Sequence, residues 1–347
     1  MNRQPALDGL DLYRRLDESA ERTAVNDDER IDAVTSQIGT ALKTALSDPA
    51  IVRGWRAQAL FASTVVALDG CELMTQVDLG EVFVDGDSAK APDFFLHLRN
   101  GRRILVDVKG IRDAPQTPEH PEKFGASEVT RLRRFGDLYG AEVFLAFYYS
   151  YLPMWTLVSL DDLSAGPGGG YRITFAEAMM RNKMALIGDR TIGVGQPLEM
   201  TVYPDASKSN TIAEDGQAQF TVGSFELRVA GTPVTSPLEA RIVVFLMAYG
   251  EWPGSEVPSV AGGAVQSLTW GAKPDERANP KESFEIIGTL SSMYARAFEY
   301  GTTGPAGVTG LQIDPDPGML VSLIPHDYDS EELPLWRFEL VPDSPKE

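Results

Sequence analysis

Helical and strand spacings of apolar residues alternate along the first half of the chain. Ile31, Val34, Ile38, Leu42 and Ala45 recur at helical spacing. They predict a helix over 28–46, with Asp27 or Asp28 as N-cap. Asp48-Pro49 interrupts the pattern, and 53–68 reads as a second helix ending at Asp69-Gly70. Residues 72–77 and 81–84 read as one strand or two, with Gly80 as a bulge. Two short strands follow at 93–99 and 103–109, around Asn100-Gly101. After a Pro-rich loop at 112–122, Val129, Leu132, Phe135 and Leu138 line one side of a helix over 127–139, which Gly140 ends. The apolar runs 143–149 and 155–160 have strand length. This order of helix, three strands, helix and strand predicts a mixed α/β fold, a central mixed sheet flanked by helices.

The second half carries a different pattern. Residues 161–170, DDLSAGPGGG, are the clearest linker in the chain. Beyond it, 175–186 is helical, and 193–203 and 217–229 read as strands. Ser236-Pro-Leu-Glu239 is a capping-box pattern that signals a helix. The run 242–246 that follows is β-branched and aromatic, and the strand reading is preferred for it. A helix is expected over 283–300, and strands over 320–323 and 335–341. The chain thus divides into an N-terminal helical segment at 1–50, a core domain at 51–162 and a mostly β domain at 171–347. Within the first segment, residues 1–27 are polar, and are expected to be loose or weakly helical. The last domain is expected to recognise, regulate or assemble rather than to do chemistry.

With 347 residues the chain is long enough for two domains of ordinary size. Its single cysteine, Cys71, permits no intramolecular disulfide, which fits a reducing cytoplasm. The N-terminus shows no apolar signal-peptide region, and the longest apolar runs, 143–149 and 242–249, are far too short to span a bilayer. A formal net charge of −19 argues against a protein that coats nucleic acid through bulk charge. It leaves room for a local basic strip. Arg99, Arg102, Arg103, Lys109 and Arg112 form one cluster; Lys123, Arg131, Arg133 and Arg134 form another.

Both clusters flank APDFFLHLRNGRRILVDVKG, residues 91–110, where an acid and a base sit inside a strand. Side chains alternate along a strand, so Leu105, Asp107 and Lys109 share one face and Ile104, Val106 and Val108 the other. The second set is expected to pack against a helix and the first to look out at a site. Register decides whether Asp93 joins them. A two-residue Asn100-Gly101 turn pairs Phe94 with Asp107 and sends Asp93 to the wrong face. A three-residue loop with glycine at a bulge, or a later bulge, shifts the pairing by one and brings Asp93 beside Asp107 and Lys109. A working site therefore requires that the hairpin not be an unbroken two-residue one.

Two carboxylates and a lysine on one face suit a hard divalent cation, Mg²⁺ or Mn²⁺, with the backbone carbonyl of Val108 as a further ligand. Lys109 could then hold or deprotonate a water, or stabilise a pentavalent transition state. Other chemistries find less support. His97, His120 and His326 lack metal-ligand spacing, and no phosphate-binding GxxxxGK[ST] loop or GxSxG elbow is present.

Pro92-Asp93 followed by Asp107-Val108-Lys109, within this order of elements, resembles the PD-(D/E)XK nuclease superfamily over roughly residues 50–160. The resemblance implies a restriction-endonuclease-like core, with Asp93 and Asp107 as metal ligands and Lys109 as the catalytic lysine. Many members add a glutamate from the helix before the first strand. The matching place here is near Gln58, where no acid lies, and Glu72 or Glu81 stand as substitutes. Arg131 and Arg134, three apart on the following helix, are expected to bind substrate. The implied activity is Mg²⁺-dependent endonuclease cleavage of nucleic acid, DNA foremost, in a restriction or phage-defence setting. A homodimer or larger defence complex is the implied assembly. The alternative is an inactive scaffold of the same fold that binds a partner.

Overall fold

The computed structural model describes residues 5–17, 24, 26–78, 83–84, 88–114, 117, 119–279, 281–314 and 316–342. The chain divides into two compact units, Met1–Arg56 and Ala57–Glu347. In the first, α1 (Pro5–Leu16) is helical, and α2 (Asp28–Ser47) follows. Asp27 caps α2 by accepting a hydrogen bond from the Arg30 amide at 3.2 Å. Asp28 and Glu29 in the first turn face the unpaired N–H groups of the helix start. Next comes α3 (Pro49–Ala67).

The second unit is built on β1 (Cys71–Gln76), β2 (Phe94–Leu98), β3 (Arg103–Ile111), β4 (Pro121–Phe124), α4 (Ala126–Tyr139), β5 (Glu142–Tyr149) and β6 (Met154–Ser159). Its main sheet has the order β1-β2-β3-β5-β6. Only β3 and β5 run parallel, with α4 in the crossover between them. The expected mixed sheet flanked by helices is therefore present. A parallel pair needs cover on both faces, and β5 is accordingly buried at every residue after Glu142. On one face Phe94, Leu96, Ile104, Val106, Phe144 and Trp155 pack with Leu60, Phe61 and Val65 of α3. On the other, Leu105, Leu145 and Phe147 pack under Val129, Leu132 and Phe135 of α4. Gly136 lets that helix sit close: a Cβ there would lie 2.8 Å from the Ala141 carbonyl oxygen and from a Val143 methyl.

The hairpin register follows from its turn. The Leu98 amide donates to the Arg102 carbonyl at 2.8 Å, and the Gly101 amide donates to the Leu98 carbonyl at 2.9 Å. Arg99, Asn100 and Gly101 thus form a three-residue loop in which Gly101 takes φ +80°, open to glycine and costly to other residues. His97 pairs with Arg103 and Phe94 with Val106, so Asp93 falls opposite Asp107. The register is the one that a working site requires.

After β6 the chain forms β7 (Ser164–Ala165), β8 (Tyr171–Thr174), α5 (Phe175–Met180), β9 (Thr191–Val194), β10 (Leu198–Pro204), β11 (Val222–Val229) and β12 (Thr232–Val234). Then come α6 (Pro237–Tyr249), β13 (Gly254–Ala261), β14 (Ala264–Ala272), β15 (Glu285–Thr289) and α7 (Leu290–Thr302). The chain closes with β16 (Thr303–Gly304), β17 (Gly307–Val308), α8 (Met319–Leu323) and β18 (Leu335–Phe338). A second sheet has the order β12-β11-β10-β14-β13, and a third β15-β9-β18.

Several expectations are corrected here. The glycine-rich segment at 161–170 is folded rather than a free linker: β7 pairs with β8, β8 with β4, and the Ser159 amide donates to Asp162 at 2.7 Å. Nor does the buried core stop at that segment. Met293, Tyr294 and Phe298 of α7 and Ile242, Val243 and Leu246 of α6 belong to the same buried cluster as Phe61 and Phe94. The run 242–246 is helical, because burying these side chains outweighs a propensity penalty of a few tenths of a kcal/mol per β-branched residue. Residues 285–289 form a strand ahead of α7, and 319–323 a short helix.

Replacing Gly101 by alanine should lower stability by about 1 kcal/mol, from holding an L-residue in the left-handed region. The readout is a lower denaturant midpoint with an unchanged slope. A variant as stable as the wild type would mean that the loop does not need a positive φ.

Candidate active site

Asp93 lies one residue ahead of β2, and three elements hold it. Its carbonyl accepts from the Val77 amide at 2.9 Å, extending the β1–β2 ladder. One carboxylate oxygen accepts from the Val108 amide at 2.5 Å, across the hairpin on β3. The other accepts from Gln58 Nε2 of α3 at 2.7 Å. The helix position where an acid was sought thus does reach the site, and it carries an amide.

Asp107 is only 3% exposed. One of its oxygens lies 2.7 Å from Lys109 Nζ, an ion pair that is this buried oxygen's partner. The other lies 3.5 Å from Lys90 Nζ. Glu128, in the first turn of α4, joins the two lysines: its Oε1 is 2.8 Å from Lys90 Nζ and 3.2 Å from Lys109 Nζ. The face carrying Asp107 does not simply look out. Leu105, two residues back, is fully buried under α4, while Lys109, beside the N-terminal end of that helix, is half-buried.

The charges explain the titration behaviour. Burial first, then the neighbouring Asp107, pushes the Asp93 carboxyl up to about 7, against the Val108 hydrogen bond that favours the anion. Burial also raises Asp78, which shares a hydrogen bond with Asp93. For Lys109, burial alone would favour the neutral amine, but Asp107 and Glu128 hold its pKa above the usual lysine value. Burial would raise Glu128, yet its hydrogen bond to Lys90 and the charge of Lys109 bring it below the ordinary carboxylate range.

The other expected residues are distributed as follows. Glu72 pairs with His97 at the far end of β1, with Nδ1 3.3 Å from its carboxylate, so it is not a third ligand here. Glu81 and the Gly80 bulge lie outside the described residues. Val108 enters through its amide N–H. Arg131 is half-buried one turn after Glu128, and its carbonyl accepts from the Lys90 amide at 3.1 Å; Arg134 is exposed on the next turn. The hairpin-tip arginines serve locally, Arg99 on Asp69 and Arg102 on Glu142, at the end of β3 away from Lys109. Sequence reasoning missed Lys90, Glu128 and Asp78. Glu128 had a signal, as an acid in the first turn of the helix that follows the acid–base strand. Lys90 and Asp78 sit outside the regular strands, and no spacing marks them.

The carboxylates suit a divalent cation by donor type, and the buried Asp107 oxygens are hard donors that only the ammonium groups of Lys109 and Lys90 approach among the described contacts. Among the described residues no three His, Cys, Asp or Glu side chains converge as a ready cage. No helix among the described residues is long and apolar enough to cross a membrane.

No family model matches the chain, and no curated protein does. Among solved structures it is similar to Hjc, a Holliday junction resolvase from the archaeal hyperthermophile Archaeoglobus fulgidus. The TM-score is 0.25 and the identity 20%, over 33% of this chain and 84% of that one. At that level the likeness assigns a role to no residue.

Asp93 gives a pH test. With a folded pKa of about 7 against an ordinary value of about 3.9, it holds a proton between those limits that the unfolded chain has released. Its contribution to stability is full below about pH 4 and is lost as pH rises through 7. Metal-free wild type should therefore lose stability over that window in denaturant titrations. Asp93→Asn, which keeps an acceptor for Val108, should flatten the profile and be the more stable protein at pH 8. Parallel profiles for the two proteins would contradict the assignment.

Proposed function

We propose that the second unit is a metal-dependent nuclease, hydrolysing phosphodiester bonds of nucleic acid, DNA foremost, with Mg²⁺ or Mn²⁺. The observation that carries the reading is the hairpin register, which sets Asp93 opposite Asp107 and leaves Lys109 Nζ 2.7 Å from Asp107. Asp93 and Asp107 would hold the cation. Bound there, a divalent ion would supply charge neutralisation at a phosphate and a water of lowered pKa.

The remaining work falls to protein groups. Lys109, kept protonated by Asp107 and Glu128, serves as a donor to a phosphate oxygen or to the attacking water, not as a base in this charge state. Gln58 and the Val108 amide fix the Asp93 carboxylate so that its orientation does not have to be found during reaction. Arg131 and Arg134 offer the local positive charge that a protein of net charge −19 needs to approach a polyanion. The role proposed for residues 171–347 is to position and control this core; its support is the burial of α6 and α7 side chains in the cluster beneath the sheet.

A second reading has its own observation. Gln58 stands where a further acid would ligate, and both Asp93 oxygens already accept hydrogen bonds. This suits an inactive scaffold that keeps the fold to bind a partner. One experiment separates the two. Plasmid, linear duplex and RNA are incubated with the protein in Mg²⁺, Mn²⁺ or EDTA, and cleavage is followed.

Metal-dependent cleavage is expected, and Asp107→Asn and Lys109→Met should each reduce it by at least about 100-fold. Because Asp107 is buried, asparagine is used to keep its shape. Wild-type cleavage by either variant would remove the activity from this site.

An Arg131→Ala, Arg134→Ala double variant should weaken nucleic-acid binding and flatten its salt dependence by about one phosphate per arginine. Unchanged affinity at both low and high salt would make the two arginines ordinary surface residues.

A further inference from the structure

Lys90 is placed where a cation would be expected. Its ammonium lies 2.8 Å from Glu128 Oε1 and 3.5 Å from Asp107, between a carboxylate on α4 and one on β3. Lys109 makes a second link between the same two groups, at 2.7 Å to Asp107 and 3.2 Å to Glu128. The two ammonium groups thus pair with Asp107 and Glu128, while Asp93 is held by hydrogen bonds from Gln58 and the Val108 amide. Asp107 is buried and the two ammonium groups are its charged partners, so the carboxylate depends on nearby positive charge.

The two lysines are not equivalent. Lys109 is anchored in β3, where it pairs with Phe147 of β5. Lys90 belongs to a stretch, 88–92, with no regular secondary structure; its side chain is 34% exposed, and its backbone is tied only through the amide bond to the Arg131 carbonyl among the described contacts. Its ammonium can therefore swing to water without disturbing a strand. A divalent cation and both ammonium groups cannot all sit between the same two carboxylates, because like charges a few ångströms apart repel strongly, so one ammonium has to give way.

Resting on the reading of Asp93 and Asp107 as a cation site, we propose that Lys90 is a built-in counter-ion that competes with the divalent metal. When the metal enters, Lys90 leaves, and Glu128 becomes the third carboxylate of the site, a position filled neither by Gln58 nor by Glu72. The metal-free protein is thereby kept charge-balanced, and metal affinity is set by the exchange of one ammonium for one divalent ion.

The test is calorimetric titration of the full chain with MnCl₂, without nucleic acid. Lys90→Gln should bind Mn²⁺ at least about tenfold more tightly than wild type, and Lys90→Arg should not. Glu128→Gln should bind it at least about tenfold more weakly, and the gain from Lys90→Gln should shrink in the Glu128→Gln background, since the two effects share one contact. A second measurement uses wild type alone. Acetylation of Lys90 by an amine-reactive ester, followed by mass spectrometry, should accelerate on adding Mn²⁺ as the ammonium is released to solvent.

Unchanged or weaker Mn²⁺ binding by Lys90→Gln would overturn the proposal, as would Lys90 labelling that Mn²⁺ leaves unchanged or slows. In either case ordinary Mn²⁺ binding by wild type would leave the cation site standing. Absence of Mn²⁺ binding in both proteins would remove the site and this proposal together. The expected metal behaviour without any cleavage of nucleic acid would support the exchange and reject the nuclease.

Discussion

A one-residue choice of register at the tip of the β2–β3 hairpin governs the chemistry of the second unit. Gly101 at φ +80° closes a three-residue loop, and the ladder that runs back from it sets Asp93 across from Asp107. Opposed residues on neighbouring strands bring their Cβ atoms within about 5 Å. Shifted by one residue, Asp93 would turn to the opposite face and meet the apolar layer under α3. The turn lies at the far end of the hairpin from the carboxylates that it aligns. The Val108 amide and Gln58 then lock the result, since both hydrogen-bond the Asp93 carboxylate.

Placing two carboxylates side by side in a buried strand pair is unfavourable unless positive charge comes with them. The protein meets this with two lysines and a bridging glutamate. Lys109 comes from the same strand as Asp107, two residues on, and so is brought by the alternation of the strand itself. Lys90 and Glu128 come from separate elements, a coil ahead of β2 and the first turn of α4. The remaining imbalance falls on Asp93, whose carboxyl is pushed up to about 7. The result is a set of charges held in mutual compromise.

The sheet that carries the candidate site is covered on both sides. The α4 crossover demanded by the parallel β3–β5 pair seals one face, and α3 together with α7 seals the other. The cover leaves Lys109 and Lys90 half-buried beside the start of α4. It also makes residues far along the chain part of the support of the site, since Met293, Tyr294 and Phe298 belong to the same cluster as Phe61 and Phe94.

Local patterns determined a large part of this. Helical spacing located α2, α3 and α4, apolar runs located β5 and β6, and the Asp107-Val108-Lys109 alternation marked the acid–base face, because each depends on neighbours a few residues apart. The hairpin could be narrowed to a condition on its turn but not chosen, since Asn100-Gly101 is compatible with two loop lengths. The run 242–246 shows where local propensity yields: Ile242 and Val243 favour a strand by a few tenths of a kcal/mol, while burial of each side chain against the shared core is worth roughly 1.5–3 kcal/mol. Only the tertiary structure could show that the glycine-rich 161–170 segment is folded into a sheet, that Gln58 reaches Asp93, and that Lys90 and Glu128 close around Asp107. Apart from the short β7–β8 pairing, these contacts join residues 17 or more positions apart in the chain, brought together by burial of apolar faces, and no spacing along the sequence encodes them.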